Sequence, residues 1–198
     1  MTSLIVTTAN VEGIKQPQRK IRRYTRMVKR RTKKLSKGKP CRKRRILSRQ
    51  EVGRGTKSTR TRVWKIKRSK QKWKVIGRGA HNGVAYRDIK VQGKVYREMS
   101  IHGLHVGTVG RKRQNDFYFE LLEWILSFPK DIEGWILAGD FNRNFKAIAH
   151  YLGGRGAGYK IDGVIVSKNL RVELIEVFWK GVQKGLTDHP AVITKVQI

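Results

Sequence analysis

The chain has 198 residues, 38% of them hydrophobic, which predicts one domain, residues 1–198, with a core of useful size. A single cysteine, Cys41, excludes an intrachain disulfide framework, and no apolar run approaches the roughly 20 residues of a membrane helix. We therefore expect a soluble monomer in the cytoplasm or another reducing intracellular compartment, since the N-terminal residues also lack the pattern of a classical signal peptide.

The charge is very large and unevenly distributed. The chain carries 46 Lys and Arg against 14 Asp and Glu, a formal net charge of +32. Residues 1–78 hold 29 of these cations and only two acids, and the strongly basic segment runs from residue 15 to residue 78. Such a block predicts a polyanionic partner, with a nucleic acid backbone first and an anionic membrane second.

The first elements are a strand and a basic helix. Leu4 to Ala9 is apolar and β-branched and predicts a core strand that ends at Asn10. From Gln18 to Leu35, apolar residues recur at helical spacing between many cations, which predicts a helix with one thin buried stripe and a wide cationic face. Residues 46–52 are a weaker strand candidate because Arg45 and Arg49 interrupt the apolar run.

A tryptophan-containing hairpin is predicted next. Trp64 and Trp73 lie in two segments, 63–68 and 72–76, in which apolar residues alternate with cations. A tryptophan beside lysine can stack a nucleotide base, but we favour the alternative that both are core residues under a charged face. The helix and hairpin together supply the candidate nucleic-acid-binding residues: Arg22, Arg23, Arg26, Arg30, Lys65, Lys67, Trp64 and Trp73.

The rest of the chain alternates strands with helical segments. A broad apolar face predicts a helix from Arg111 to Phe128, and Pro129 ends it. The other predictions are strands at 82–86 and 94–106 joined across Gln92-Gly93, a buried strand at 135–138, a glycine-rich loop at 153–158, and strands at 161–166, 171–179 and 191–196.

Polar side chains gather at the ends of these strands. Gly139-Asp140-Phe141-Asn142 directly follows the buried strand at 135–138, although Asp and Asn are also common turn residues. A functional site is favoured by the whole set: Asn10, Glu51, Asp140, Asn142, Asp162, Asp188 and His189. Carboxylate and amide oxygens suit Mg²⁺, Mn²⁺ or Ca²⁺, and such an ion beside a His–Asp pair is what phosphodiester hydrolysis needs.

Through these residues the chain resembles the endonuclease/exonuclease/phosphatase superfamily, which includes deoxyribonuclease I and the exonuclease III type repair enzymes. Five pieces carry the resemblance in the family's order: Thr8-Ala9-Asn10-Val11, Gln50-Glu51-Val52, Gly139-Asp140-Phe141-Asn142, Ile161-Asp162 and Thr187-Asp188-His189-Pro190. The resemblance implies an α+β fold, namely a compact two-sheet β-sandwich flanked by helices in four α/β/β/α layers, with the site at one sheet edge.

The resemblance also implies a divalent-metal site, with Mg²⁺ first and Mn²⁺ or Ca²⁺ as alternatives. Glu51 corresponds to the main metal ligand, and Asn10 and Asp188 lie near the same ion. Arg49 stands where the family pattern expects an apolar residue, which makes Glu51 a weaker match than the later motifs.

The catalytic roles are likewise implied by the resemblance. Asp140 and Asn142 position the phosphate and the attacking water, while His189 is the general base and Asp162 orients its imidazole. Whether Asp140 or His189 takes the proton stays open.

A further family histidine follows the strand before the long helix. His105 fits that place best and His102 is the alternative, and either histidine is also compatible with an ordinary strand position. His81 and His150 have no motif around them and are interpreted as surface or packing residues.

The basic segment determines the predicted substrate. We expect a Mg²⁺-dependent phosphodiesterase that hydrolyses the nucleic acid backbone, as a low-specificity endonuclease with DNA favoured over RNA. The alternatives are a phosphatase or phospholipase of the same superfamily, and a noncatalytic nucleic-acid-binding protein. The segment between Asn142 and Asp162 is short for the family, so the loops that select substrates elsewhere are reduced.

Overall fold

The computed structural model describes residues 2–11, 17–36, 44–50, 59–76 and 83–198. The elements in chain order are β1 (Ser3–Asn10), α1 (Gln18–Leu35), β2 (Arg45–Gln50), β3 (Arg60–Trp64), β4 (Lys67–Arg68), β5 (Lys72–Val75), β6 (Gly83–Val91), β7 (Lys94–His102), α2 (Val106–Val109), α3 (Arg111–Leu126), β8 (Ile132–Asp140), α4 (Phe145–Tyr151), β9 (Gly154–Tyr159), β10 (Asp162–Ser167), β11 (Arg171–Phe178), α5 (Lys180–Gln183) and β12 (Ala191–Gln197).

Two mixed sheets form the centre of the fold. The five-stranded sheet has the order β11-β12-β1-β2-β3, and the seven-stranded sheet has the order β4-β6-β7-β8-β10-β9 with β5 also paired to β6. Two neighbouring pairs are parallel, β1 with β2 and β7 with β8, and the other pairs are antiparallel. The predicted two-sheet architecture is confirmed.

Several apolar clusters hold the layers together. The inner faces of the two sheets meet through residues such as Val6 and Ile136, which are fully buried. On the outer side of the seven-stranded sheet, α3 and α4 bury residues such as Phe117 and Ile148. On the outer side of the five-stranded sheet, α1 packs its thin apolar stripe against Leu47 of β2. These contacts give the predicted order helix, sheet, sheet, helix.

The predicted tryptophan hairpin is wrong. β3 joins the five-stranded sheet through β2, whereas β4 and β5 each pair with β6 in the other sheet. The interpretation of Trp73 as a core residue is also wrong, because its side chain is 36% exposed and all four residues of β5 are exposed. An edge strand such as β5 can alternate apolar and charged residues without burying either face.

The structure differs from the predictions in three further places. β7 ends at His102 and does not extend to residue 106, because Gly103 and Leu104 leave the sheet before α2. The helix α4 was not predicted. The expected glycine-rich loop is largely strand β9, where a Cβ on Gly158 would lie 2.3 Å from the Asp162 carbonyl oxygen. The glycines therefore permit close packing of β9 against β10 and do not mark a loop.

The strand directions explain where a site can form. β1, β2, β7 and β8 all end at the same edge of the sandwich, and the antiparallel strands β10 and β12 begin there. Polar residues at these ends consequently converge from separate parts of the chain.

Candidate active site

The seven-stranded sheet presents three polar residues side by side at this edge. Asp140, the last residue of β8, lies opposite His102 of β7 and opposite Asp162 of β10 in the strand register. Both carboxylates are almost completely buried, and His102 Nε2 lies 3.8 Å from Asp140 Oδ2. Asp140 is thus the central residue of the row.

The five-stranded sheet contributes Asn10 from across the sandwich. Asn10 Nδ2 donates a hydrogen bond to Asp140 Oδ2 at 3.1 Å, and the Asn10 side chain is fully buried. Gly139 allows β8 to approach β7 here, because a Cβ at this position would lie 1.9 Å from the Ile101 carbonyl oxygen. The glycine before Asp140 is therefore required by the sheet packing beside the site.

The turn after β8 fixes the second half of the motif. The Asn142 backbone N–H donates to Asp140 Oδ1 at 2.8 Å, and Asn142 adopts a positive φ of 49°. Its side-chain amide donates to the Gly103 carbonyl at 2.8 Å. The buried Gln114 amide donates to the Asn142 carbonyl at 3.1 Å, and the Tyr118 hydroxyl donates to the Phe141 carbonyl. The turn interpretation of Asp140 and Asn142 is therefore confirmed, and the same hydrogen bonds fix both residues at the edge of the sheet.

His189 and Asp162 form a close pair. His189 Nδ1 lies 2.7 Å from Asp162 Oδ2, while Nε2 lies 3.8 Å from Asp140 Oδ2 and 3.5 Å from Asp188 Oδ1. Thr187 holds the loop that carries the histidine, because its hydroxyl donates to the Asn10 carbonyl at 3.0 Å and accepts from the His189 N–H at 3.1 Å. The imidazole therefore turns Nδ1 to its orienting carboxylate and Nε2 to the open site.

The surrounding charges determine the protonation of this pair. Burial acts to lower the pKa of His189, but the hydrogen bond to Asp162 and the charges of Asp162, Asp140 and Asp188 outweigh it and raise that pKa to about 9. Burial raises the pKa of Asp162 to about 6, in spite of its hydrogen bond to His189. The imidazolium form of His189 is consequently favoured at neutral pH.

The donor set is suitable for a divalent cation. One ligand atom from each of Asp140, Asp162 and His189 lies within 4.8 Å of the others. The buried Oδ1 of Asp162 has no hydrogen-bond partner among the described residues, and Asp188 is 65% exposed at the rim. Clustered carboxylate oxygens with unused acceptor capacity fit Mg²⁺, Mn²⁺ or Ca²⁺.

The remaining predicted residues are distributed as follows. Glu51, the expected main metal ligand, lies outside the described residues. His105 is exposed at the start of α2, and the alternative histidine, His102, is the one beside Asp140. Sequence reasoning did not single out Tyr24, although its hydroxyl donates to the His189 carbonyl at 3.2 Å. The only sign of Tyr24 in the sequence was its position on the predicted apolar stripe of α1.

Solved structures provide the comparison that decides the fold. An endonuclease/exonuclease/phosphatase from Bacteroides vulgatus matches with a TM-score of 0.69 and 12% identity, and the match covers 100% of both chains. The chain has the endonuclease/exonuclease/phosphatase fold. This confirms, at the level of the fold, the resemblance that the five sequence pieces indicated.

Two more structures with this fold extend the comparison. An endonuclease/exonuclease/phosphatase family protein from Leptotrichia buccalis matches at a TM-score of 0.65 and 12% identity over 98% of this chain and 100% of its own. TDP2 from D. rerio, in complex with a single-strand DNA product, matches at 0.67 and 12% over 100% of both chains. No protein-family model and no curated protein matches the sequence. Among the described residues no helix is long and apolar enough to cross a membrane.

Proposed function

We propose that this protein is a divalent-metal-dependent phosphodiesterase that hydrolyses the nucleic acid backbone, acting as a low-specificity endonuclease with DNA favoured and Mg²⁺ as the ion. The observation that carries the proposal is the convergence of Asn10, Asp140, Asp162 and His189 at one sheet edge. Hydrogen bonds and ion pairs link these residues across both sheets, and a noncatalytic binding protein has no need of that arrangement.

Each residue has a role that follows from its contacts. Asp162 holds the His189 ring so that Nε2 faces the site, and in its neutral form Nε2 can accept a proton from an attacking water. Asp140 lies 3.8 Å from the same Nε2 and can orient that water or share the proton. Asn142 is held by Gly103 and contributes a polar side chain at the rim.

The oxygen donors around Asp140 would bind the metal ion. Asn10, Asp140 and Asp188 would hold the ion together with Glu51, and the ion would offset negative charge on the phosphate and the leaving oxygen. A cation held there also opposes protonation of His189, because the carboxylates that raise the pKa of His189 would then interact with the cation. Metal binding would thereby bring the imidazole closer to the neutral form that a general base requires.

A cationic groove favours a nucleic acid as the substrate. Seven Lys and Arg side chains line a groove of about 760 Å³. Five come from α1, one from α5, and the seventh is Lys184 directly after α5. Leu186, at one wall of this groove, is three residues from His189, so the groove adjoins the loop that carries the proposed base. Basic side chains in a row bind a phosphate backbone without reading its bases.

Plasmid cleavage with site variants tests the proposal. Purified protein should nick supercoiled DNA in Mg²⁺ and not in chelator, and His189→Ala and Asp140→Ala should each abolish nicking. The matched control is His150→Ala, because His150 is exposed on α4 away from the described site contacts. A labelled RNA assayed in parallel names the polymer.

Two results would refute the proposal. Metal-dependent hydrolysis of a soluble phosphate ester or a phospholipid, with nucleic acid left intact, would favour the phosphatase or phospholipase alternative. Tight nucleic acid binding with no cleavage in any divalent ion would identify a binding protein built on a nuclease fold.

A further inference from the structure

The outer face of the five-stranded sheet carries a second group of cations beside α1. Arg49 of β2 lies directly opposite Arg60 of β3, and Arg62 lies opposite Leu47. Alternate residues of a strand share a face, so Arg49 is on the same side as Leu47, which packs against α1. Lys29 of α1 adjoins this group, because the charges of Arg62 and Arg49 both act on it.

This arrangement is unfavourable unless an anion is present. Like charges directly opposite each other on neighbouring strands destabilise a sheet. The Nε atom of Arg49 is buried and has no hydrogen-bond partner among the described residues. Within the same described residues, the four cations of this group form no ion pair with a carboxylate. Burial and the charges of Arg62 and Arg60 lower the pKa of Arg49 to about 10, which reflects the same crowding.

The group is continuous with the cationic groove. Arg30 lines the groove and also a smaller cavity of about 210 Å³, and Lys29 lines that smaller cavity as well. The next residue after Arg49, Gln50, turns inward and accepts a hydrogen bond from Thr8 at the edge where Asp140 lies. An extended chain of phosphates could therefore follow one basic surface on the outside of that edge.

We propose that Lys29, Arg49, Arg60 and Arg62 form a phosphate-binding exosite for the nucleic acid backbone, separate from the residues assigned to hydrolysis. The arginine that interrupts the family pattern before Gln50 thus belongs to a binding surface. The exosite rests on the proposed function only for the identity of its ligand. Its occupant neutralises the repulsion between the cations.

The test compares two double variants of equal charge. Arg60→Gln/Arg62→Gln removes two exposed members of the exosite, and Lys130→Gln/Lys168→Gln removes two exposed lysines at the opposite end of β8 and β10. Binding of a fluorescein-labelled 20-nucleotide duplex and of the matching single strand is measured by anisotropy in chelator between about 50 and 300 mM salt. The exosite variant should lose roughly two units of the log-log salt slope on the duplex and bind at least about tenfold more weakly, while the control keeps the wild-type slope.

A thermal measurement provides an independent readout. Without polyanion at low salt, the exosite variant should melt at or above the wild-type temperature, because the repulsion is reduced. Added oligonucleotide should then raise the wild-type melting temperature more than that of the variant. Melting below wild type without polyanion, together with an equal response to oligonucleotide, would overturn the proposal.

Other outcomes discriminate among ligands and between the two proposals. Equal salt slopes for the two double variants would overturn the exosite. The exosite would also be overturned if inorganic phosphate stabilised the protein as much as oligonucleotide does at matched phosphate concentration. It would equally be overturned if the exosite variant lost binding to phosphatidylserine vesicles while its nucleic acid binding was unchanged. Absence of cleavage with the exosite results intact would refute only the proposed hydrolysis.

Discussion

The substitution Asp162→Asn should change the protonation of His189 by an amount that the structure defines. The carboxylate lies 2.7 Å from His189 Nδ1, and asparagine keeps its shape while removing its charge. Burial lowers the pKa of His189, and Asp162 is the first of the groups that raise it to about 9 from the ordinary 6.5. Without that charge we expect a fall of at least about two units, or roughly 3 kcal/mol of lost preference for imidazolium.

Histidine NMR measures this change directly. The imidazole resonances of His189, assigned with a His189→Gln variant, are titrated in chelator for the wild type and for Asp162→Asn. Asp188→Asn is the matched control, because Asp188 is 65% exposed and lies 3.5 Å from Nε2, farther than the 2.7 Å between Asp162 and Nδ1. Its removal should therefore lower the pKa of His189 much less. A fall of less than about half a unit in Asp162→Asn, or an equal fall in the control, would refute the assigned pairing.

Three other predictions concern the metal, the interior and the sheet packing. Asp140→Asn should weaken Mn²⁺ binding at least tenfold in calorimetry, and unchanged affinity would remove Asp140 from the metal site. Burial raises the pKa of Glu98 to about 7, although the hydrogen bond from Thr61 acts to lower that pKa. The protonated form of Glu98 therefore stabilises the fold at low pH. Stability relative to Glu98→Gln should therefore fall by about 3 kcal/mol as the pH rises from below 4.5 through 7, and parallel urea midpoints across this range would contradict it. Gly139→Ala places a Cβ against the Ile101 carbonyl and should cost at least about 3 kcal/mol in urea unfolding, which wild-type stability would disprove.

The elements that the sequence predicted well are those with strong local patterns. The periodicity of residues 18–35 predicted α1 with its observed bounds, and Asp140 was placed at a strand end that the structure confirms. Local sequence patterns failed where the position of a strand depends on which other strand it pairs with. Nothing within residues 63–76 reveals that β3 pairs with β2 while β5 pairs with β6, since both partners lie outside this stretch.

The site shows the same division. Sequence motifs nominated Asn10, Asp140, Asp162 and His189, and the structure brings these four together. The preference for His105 over His102 depended on where β7 ends, which the β-branched and aromatic composition of the strand does not fix. β7 stops at His102 and places it opposite Asp140.

The chain order of the site residues has a consequence for biosynthesis. The Thr187 hydroxyl binds the Asn10 carbonyl across 177 residues of sequence, and β12 inserts between β1 and β11. During translation, the basic residues 15–78 emerge before residues 140–189 and can meet ribosomal or messenger RNA at once. The proposed base cannot join its partners until residues 187–197 have left the ribosome, so the basic segment of a nascent chain is available to polyanions well before the candidate site is assembled.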